Sequence, residues 1–168
     1  MPSLAIHRDA ADDLQSIKAV GALADYGVIL AFLQQAKSDP GVLETLSEHW
    51  FGEDGSANYT VQKVVSFHQQ GRRLWRVKVL SLNGMAAGYR VLYAFDRRVQ
   101  TYYVLAIPPR DIAYDETHPR IRRLIDVYDE LRQARERRGF EVGSISIPTQ
   151  RQIREYVEKY GVNPFDIQ

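Results

Sequence analysis

The sequence contains no cysteine, and this absence excludes several kinds of protein. Without cysteine there is no disulfide scaffold, no zinc site built on thiolates, no iron–sulfur cluster and no cysteine nucleophile. Long apolar stretches are also lacking, since no run approaches the roughly 20 residues that a membrane-spanning helix needs. The first residues have neither the basic start nor the apolar centre of a secretory signal. We therefore expect a soluble, cytoplasmic protein without a membrane partner.

The length and composition indicate one globular domain with an added C-terminal segment. The chain has 168 residues, of which 45% are hydrophobic and 26% are charged. This is enough apolar material for one core, and the chain is too short for two large domains. We expect residues 1–139 to form this domain. Residues 140–168 are expected to form an appendage, a strand and a helix, that packs on the same domain.

The net charge of +1 conceals an uneven distribution of charge along the chain. Residues 1–70 have four basic and nine acidic residues, a net charge of −5, whereas residues 71–168 have 18 and 12, a net charge of +6. Most of the basic residues in 71–110 are arginines, whose planar donor fork suits phosphate and whose flat face stacks on bases. This stretch predicts an anion-binding face. Its charged residues are Arg72, Arg73, Arg76, Lys78, Arg90, Arg97, Arg98 and Arg110, with Asp96 as the one acidic residue.

Hydrophobic periodicity predicts helices on either side of a central group of strands. A helical pattern covers 10–20 and 23–37, with a further turn or two in 42–51. The central segments alternate with period two and are joined by short turns, which is typical of an antiparallel meander. The predicted class is therefore α+β: N-terminal helices on a four-stranded antiparallel meander, then a long helix and the β-α appendage. The predicted strands are 58–68, 73–82, 89–96 and 99–107, with a candidate extra strand at 3–7. The long helix is 119–138, and the appendage has a strand at 140–147 and a capping-box helix from Thr149.

The strand around Trp75 carries the residues with the clearest chemical potential. Alternation places Trp75 on the core face and puts Arg76 and Lys78 side by side on the opposite face, about 7 Å apart. If this strand pairs with the next, Arg90 joins the same face. Arg110 lies just past the last strand, and Tyr114 follows four residues later. Such a cluster would suit a phosphate and an exposed base. The alternative is that these cations only form the solvated face of a half-buried sheet.

The histidines do not indicate a metal site, because they are scattered without the spacing of ligands. We expect surface or capping roles for them, with His68 and His118 as secondary candidates for acid–base chemistry. The four are His7, His49, His68 and His118.

Residues 4–130 resemble the RelE/ParE-type toxins, and within them more closely the RelE-type mRNA interferases. The resemblance rests on three runs and on the two helices that precede them and end at Asp39-Pro40. The runs are Leu74-Trp75-Arg76-Val77-Lys78, Gly88-Tyr89-Arg90-Val91-Leu92-Tyr93, and Val104-Leu105-Ala106-Ile107-Pro108-Pro109-Arg110-Asp111 with Tyr114.

The resemblance implies a toxin that cleaves messenger RNA in the ribosomal decoding site, without a metal or other cofactor, by attack of a 2′-hydroxyl on the adjacent phosphate. The site residues would be Arg76, Lys78, Arg90, Arg110 and Tyr114. Lys78 is the best candidate for the base, because the pKa of arginine is too high for it to lose a proton readily. Arg76 and Arg90 would stabilise the phosphate charge, Arg110 would hold the phosphate or assist the leaving oxygen, and Tyr114 would stack or donate a proton. Four further arginines are expected to bind RNA: Arg72, Arg73, Arg97 and Arg98.

The same resemblance leaves two alternatives and implies a partner. Some members of the superfamily inhibit DNA gyrase instead of cleaving RNA, and they lack the full basic set. A non-catalytic, phage-derived interaction protein on the same scaffold is the other alternative, with the appendage lying over the basic face. The implied partner is a cognate acidic antitoxin that covers this face.

Overall fold

The computed structural model describes residues 2–81 and 83–138, which form five strands and five helices. The appendage predicted for 140–168 lies outside the described residues. In chain order the elements are β1 (Ser3–Ile6), α1 (Arg8–Ala19), α2 (Leu23–Ser38), α3 (Pro40–Thr45), β2 (Tyr59–Lys63), α4 (Val65–Gln69), β3 (Leu74–Val79), β4 (Val91–Asp96), β5 (Thr101–Ala106) and α5 (Pro119–Arg138).

The five strands form one mixed sheet in the order β1-β5-β4-β3-β2. Strands β2 to β5 are antiparallel neighbours, whereas β1 pairs parallel to β5, with Ile6 opposite Val104. The predicted α+β class is confirmed. The candidate strand at 3–7 is confirmed as β1, and the sheet differs from the expected four-stranded antiparallel meander because β1 joins its edge as a fifth strand, parallel to β5.

The strand predicted for 58–68 is wrong beyond Lys63, where the chain turns into the short helix α4. The physical reason is a change of period: Val64 and Phe67, three residues apart, are both buried, while Val65 between them is 56% exposed. Spacing of three places two side chains on one face of a helix, not of a strand. The run of apolar and polar residues here therefore resembled a strand only by coincidence.

Each face of the sheet has its own core. Helices α1, α2 and α3 cover one face, where Val77, Val79 and Tyr93 are buried. Helices α4 and α5 cover part of the other face, where Leu74 and Leu92 pack against the apolar side of α5. The face that carries Arg76 and Lys78 is therefore only partly open to solvent, and α5 closes one end of it.

A shared ion pair ties α5 to the rest of the fold. The Arg120 guanidinium donates to both carboxylate oxygens of Asp13 in α1, at 2.7 to 3.1 Å, and to the Leu105 carbonyl at 3.0 Å. Asp13 also accepts the Ile107 N–H at 2.8 Å. Both charged side chains are largely buried. Two helices and β5 are thereby fixed relative to one another, just before the segment that carries Arg110 and Tyr114.

Within the described part of the chain, no helix is both long enough and apolar enough to cross a membrane.

Candidate functional site

Two segments distant in sequence are held side by side at the start of β4. The Arg90 N–H donates to the Pro108 carbonyl at 2.9 Å, and the Arg110 N–H donates to the Gly88 carbonyl at 2.9 Å. Tyr89 and Pro109 form an antiparallel bridge between these bonds. The two prolines that end β5 therefore do not carry the chain away, and Arg110 is brought beside Arg90.

The Arg90 guanidinium is fixed by its own backbone surroundings. Its Nη1 donates to the Ala87 carbonyl at 2.9 Å and to the Tyr89 carbonyl at 3.2 Å. Burial lowers the pKa of Arg90, and the positive charges of Arg76 and Arg110 lower it further, while Tyr114 opposes them. No carboxylate is among the groups that most affect this guanidinium. Among the described residues, the charges that act most strongly on Arg90 are therefore positive.

Arg76 is oriented from the neighbouring strand. It lies opposite Gln62 in the β2–β3 register, and its Nη2 donates to the Gln62 side-chain oxygen. The Gln62 amide in turn donates to Glu53 at 2.7 Å. The Nη1 of Arg76 is buried without a hydrogen-bond partner among the described residues. This nitrogen is a donor that a bound anion would satisfy.

Lys78 lies on the same face as Arg76, two residues further along β3. It is half-buried and faces Thr60 across the strand pair, and the Thr60 hydroxyl is buried without a hydrogen-bond partner in the described structure. The regular pairing of β3 with β4 ends at Val77 and Val91, the residues next to Lys78 and Arg90 in sequence. Lys78 therefore borders the arginine cluster at the edge where a polar hydroxyl is also unpaired.

Tyr114 completes the cluster from the loop between β5 and α5. The residue is 43% exposed, but its hydroxyl end is enclosed beside Arg90. Burial raises the pKa of this hydroxyl, and the charges of Arg76 and Arg90 oppose the rise. Tyr114 thus keeps its proton at neutral pH and can donate a hydrogen bond, while the exposed ring remains available for stacking. We call Arg76, Lys78, Arg90, Arg110 and Tyr114 the cationic cluster.

The four arginines expected to bind RNA do not join this cluster. Arg72 makes a bidentate ion pair with Asp129 of α5, at 3.1 and 3.0 Å. Arg73, Arg97 and Arg98 are exposed at the other end of the sheet, where β3 begins and β4 ends. From Arg90 to Asp96 the chain advances six residues, or about 20 Å along a strand.

The histidines mainly have local structural partners. The His7 Nδ1 accepts the Asp9 N–H and caps α1, and the His118 Nδ1 accepts the Arg120 N–H at the start of α5. His68 hydrogen-bonds to the Leu74 carbonyl at 2.9 Å. Neither His68 nor His118 is among the groups that perturb Arg90 or Tyr114. In residues 2–81 and 83–138, no group of acidic and histidine side chains is arranged to hold a metal ion.

Sequence reasoning missed Gln62 and Thr60, which lie across from Arg76 and Lys78. The alternation in β2 places both on the cationic face, but only the pairing register shows which cation each one meets.

Comparisons with family models, with curated proteins and with solved structures find no match for this chain. The functional conclusion therefore depends on the residues of the site.

Proposed function

We propose that the chain is a toxin of the RelE/ParE type that cleaves messenger RNA on the ribosome, with the cationic cluster as its active site. The observation that carries this proposal is that Arg76, Arg110 and Tyr114 gather around Arg90, with no carboxylate among the groups that most affect Arg90. Arginines gathered in a partly buried site favour an anion that gains charge during the reaction, such as a phosphodiester.

The proposed reaction is a transesterification within the RNA strand. The 2′-oxygen forms a bond to the adjacent phosphorus, and the bond from phosphorus to the 5′-oxygen of the next nucleotide breaks. Lys78 is the group that accepts the proton of the 2′-hydroxyl. The products are a 2′,3′-cyclic phosphate and a 5′-hydroxyl.

The remaining side chains act on the phosphate and on the leaving oxygen. Arg90, held by two carbonyls, and Arg76, held by Gln62, are pre-positioned, so they stabilise the growing negative charge without reorganising. Arg110 is exposed and contacts the phosphate from the open side. Tyr114 retains its proton and delivers it to the departing 5′-oxygen, or stacks its exposed ring on the flanking base.

The test is cleavage of messenger RNA in a reconstituted translation reaction. Wild-type protein is compared with Lys78→Ala, Arg90→Ala and the double variant, each verified as folded by its melting curve. The proposal predicts a loss of about 100-fold or more for Arg90→Ala, since it removes a preorganised transition-state contact. Equal cleavage by the double variant would overturn it. Inhibition of DNA supercoiling that survives in the double variant would favour the gyrase-inhibitor alternative.

A further inference from the structure

A series of four aromatic rings lies where β2 meets the start of β3. The His49 ring lies 4.4 Å from Trp50 and 6.5 Å from Trp75, and Trp75 lies 5.9 Å from His68, between ring centroids. Trp50 is 60% exposed and Trp75 is half-buried. We call these four residues the tryptophan platform. An exposed tryptophan is uncommon, because tryptophan side chains are highly buried on average.

The platform is held by backbone contacts and not by a loose loop. The Trp50 N–H donates to the Val61 carbonyl at 2.9 Å, and the Lys63 N–H donates to the His49 Nδ1 at 3.0 Å. Trp50 itself has a positive φ of 73°, which a side chain of this size adopts only when its surroundings impose it. The backbone that carries the exposed indole is therefore fixed.

Positive charge lies on the Trp75 side of the platform. The Lys63 ammonium lies 5.6 Å from the centre of the Trp75 ring, a cation–π contact. Lys63, Arg73 and Arg97 line a cavity of about 990 Å³ together with Trp75. Among the described lining residues the one carboxylate is Asp96, which is 3% exposed and accepts the Arg98 N–H. Exposed cations beside flat aromatic faces favour a ligand that has both negative charge and flat rings.

We propose that the tryptophan platform and the adjoining cavity bind single-stranded nucleic acid, with bases stacked on Trp50 and Trp75 and phosphates on Lys63, Arg73 and Arg97. Single strands expose base faces for stacking, whereas a duplex hides them and an acidic peptide supplies carboxylates without a series of rings. The inference rests on this surface alone. It involves none of the residues of the cationic cluster and stands whether or not that cluster cleaves RNA.

The two tryptophans of the chain both belong to the platform, so intrinsic fluorescence reports on this surface directly. The protein is titrated with a mixed-sequence oligoribonucleotide of about 12 nucleotides, the matching DNA strand, their blunt duplexes and polyglutamate. Saturable quenching by a single strand supports the proposal. Quenching by both the RNA and the DNA strand indicates a general single-strand site, and quenching by the RNA strand alone indicates an RNA site. Quenching by the duplex or by polyglutamate as strong as that by the strands would overturn it, and so would no quenching.

Two matched cations provide the control. The ammonium of Lys18 on α1 lies 5.6 Å from the centre of the Tyr26 ring on α2. Lys63 makes the same contact with the Trp75 ring. We expect Lys63→Ala to weaken single-strand binding about fivefold or more and Lys18→Ala to leave it unchanged. Equal losses would mean that only net charge matters and would overturn the proposal.

A labelled oligonucleotide followed by fluorescence anisotropy extends the test to Trp50→Ala, which removes one reporter. This variant should bind about tenfold more weakly, with a melting temperature close to wild type because the side chain is exposed. Unchanged binding would contradict the stacking role. Arg90→Ala should lose cleavage but keep tryptophan quenching, so failure of this site and failure of the proposed nuclease are separate results.

Discussion

The Arg90 guanidinium lies against the Tyr114 hydroxyl, and each group shifts the pKa of the other. The two residues are 24 positions apart in sequence and meet because 88–90 and 108–110 are bonded to each other backbone to backbone. A phenol kept protonated beside a fixed arginine can give a hydrogen bond or a proton at the point where the arginine attracts a phosphate.

This pairing predicts that Tyr114 contributes chemistry beyond stacking. Tyr114→Phe retains the exposed ring and removes the hydroxyl, so we expect the rate of messenger RNA cleavage to fall about 100-fold while binding of the RNA changes little. Single-turnover cleavage on stalled ribosomes measures this. Tyr26→Phe on α2 is the matched control and should keep wild-type rates. If the Tyr114→Phe variant cleaves as fast as the wild type, Tyr114 does not donate a proton in the reaction.

Two arginines one turn apart on α5 should differ in their effect on stability. Arg120 pairs with Asp13 in a largely buried site, so Arg120→Ala leaves a buried carboxylate without its cation and should cost about 2–4 kcal/mol. The Arg123 side chain is 53% exposed in its pair with Asp9, and Arg123→Ala should cost at most about 1 kcal/mol. Urea unfolding compares the two. Similar losses would show that the Asp13 pair does not anchor α5.

The turn that presents Trp50 depends on Gly52. This glycine has φ 79°, and a Cβ atom there would lie 2.1 Å from the Tyr59 carbonyl oxygen. Gly55, three residues on, has φ 82° and open space around it. Gly55→Ala should therefore cost only the left-handed backbone strain, about 1 kcal/mol, and Gly52→Ala about 3 kcal/mol or more. Thermal unfolding measures both, and equal shifts in melting temperature would contradict the close approach.

Acid should weaken the fold through His7. Burial lowers the pKa of His7, with Asp9 partly opposing, so the folded protein binds this proton less tightly than the unfolded chain. Its contribution to stability is present above the ordinary pKa of 6.5 and is lost as the pH falls through the lowered, folded value. His7→Asn keeps a capping oxygen for the Asp9 N–H but does not titrate.

We expect urea unfolding to show a smaller loss of stability between about pH 7.5 and 5.5 in His7→Asn than in the wild type. An equal loss in the two proteins would assign the pH dependence to other groups.

Local periodicity was sufficient to predict much of the fold and part of the site. Alternation within β3 places Arg76 and Lys78 on one face because a strand has a period of two, whatever its neighbours are. Register cannot be predicted in this way, because it is set by contacts between distant segments. Pairing across strands brings Gln62 to Arg76, and packing of α5 brings Asp129 to Arg72. One of the four arginines predicted to bind RNA, Arg72, is therefore held in an ion pair.

Other differences have the same physical origin. The segment that forms helix α4 is predicted as a strand from the sequence. The local pattern is misleading there because Phe67 is buried in a second core beneath α5, which local periodicity does not reveal. The tryptophan platform combines residues that precede β2 in the chain with residues that follow it. From the sequence alone, Trp75 is predicted only as a core residue. Contacts between distant segments thus decided both the correction to the fold and the division of the arginines into two surfaces.

The most direct test of the central claim is the chemistry of the cut RNA. Wild-type protein is given ribosome-bound messenger RNA in which the nucleotide before the cleavage point carries either a 2′-hydroxyl or a 2′-deoxy group, and the product ends are identified. If the cationic cluster directs a 2′-oxygen onto the phosphate, the hydroxyl substrate yields a 2′,3′-cyclic phosphate and a 5′-hydroxyl, the deoxy substrate stays intact, and Lys78→Ala with Arg90→Ala abolishes the product. Cleavage of the deoxy substrate at that position, or products with a 3′-hydroxyl and a 5′-phosphate, would contradict the account.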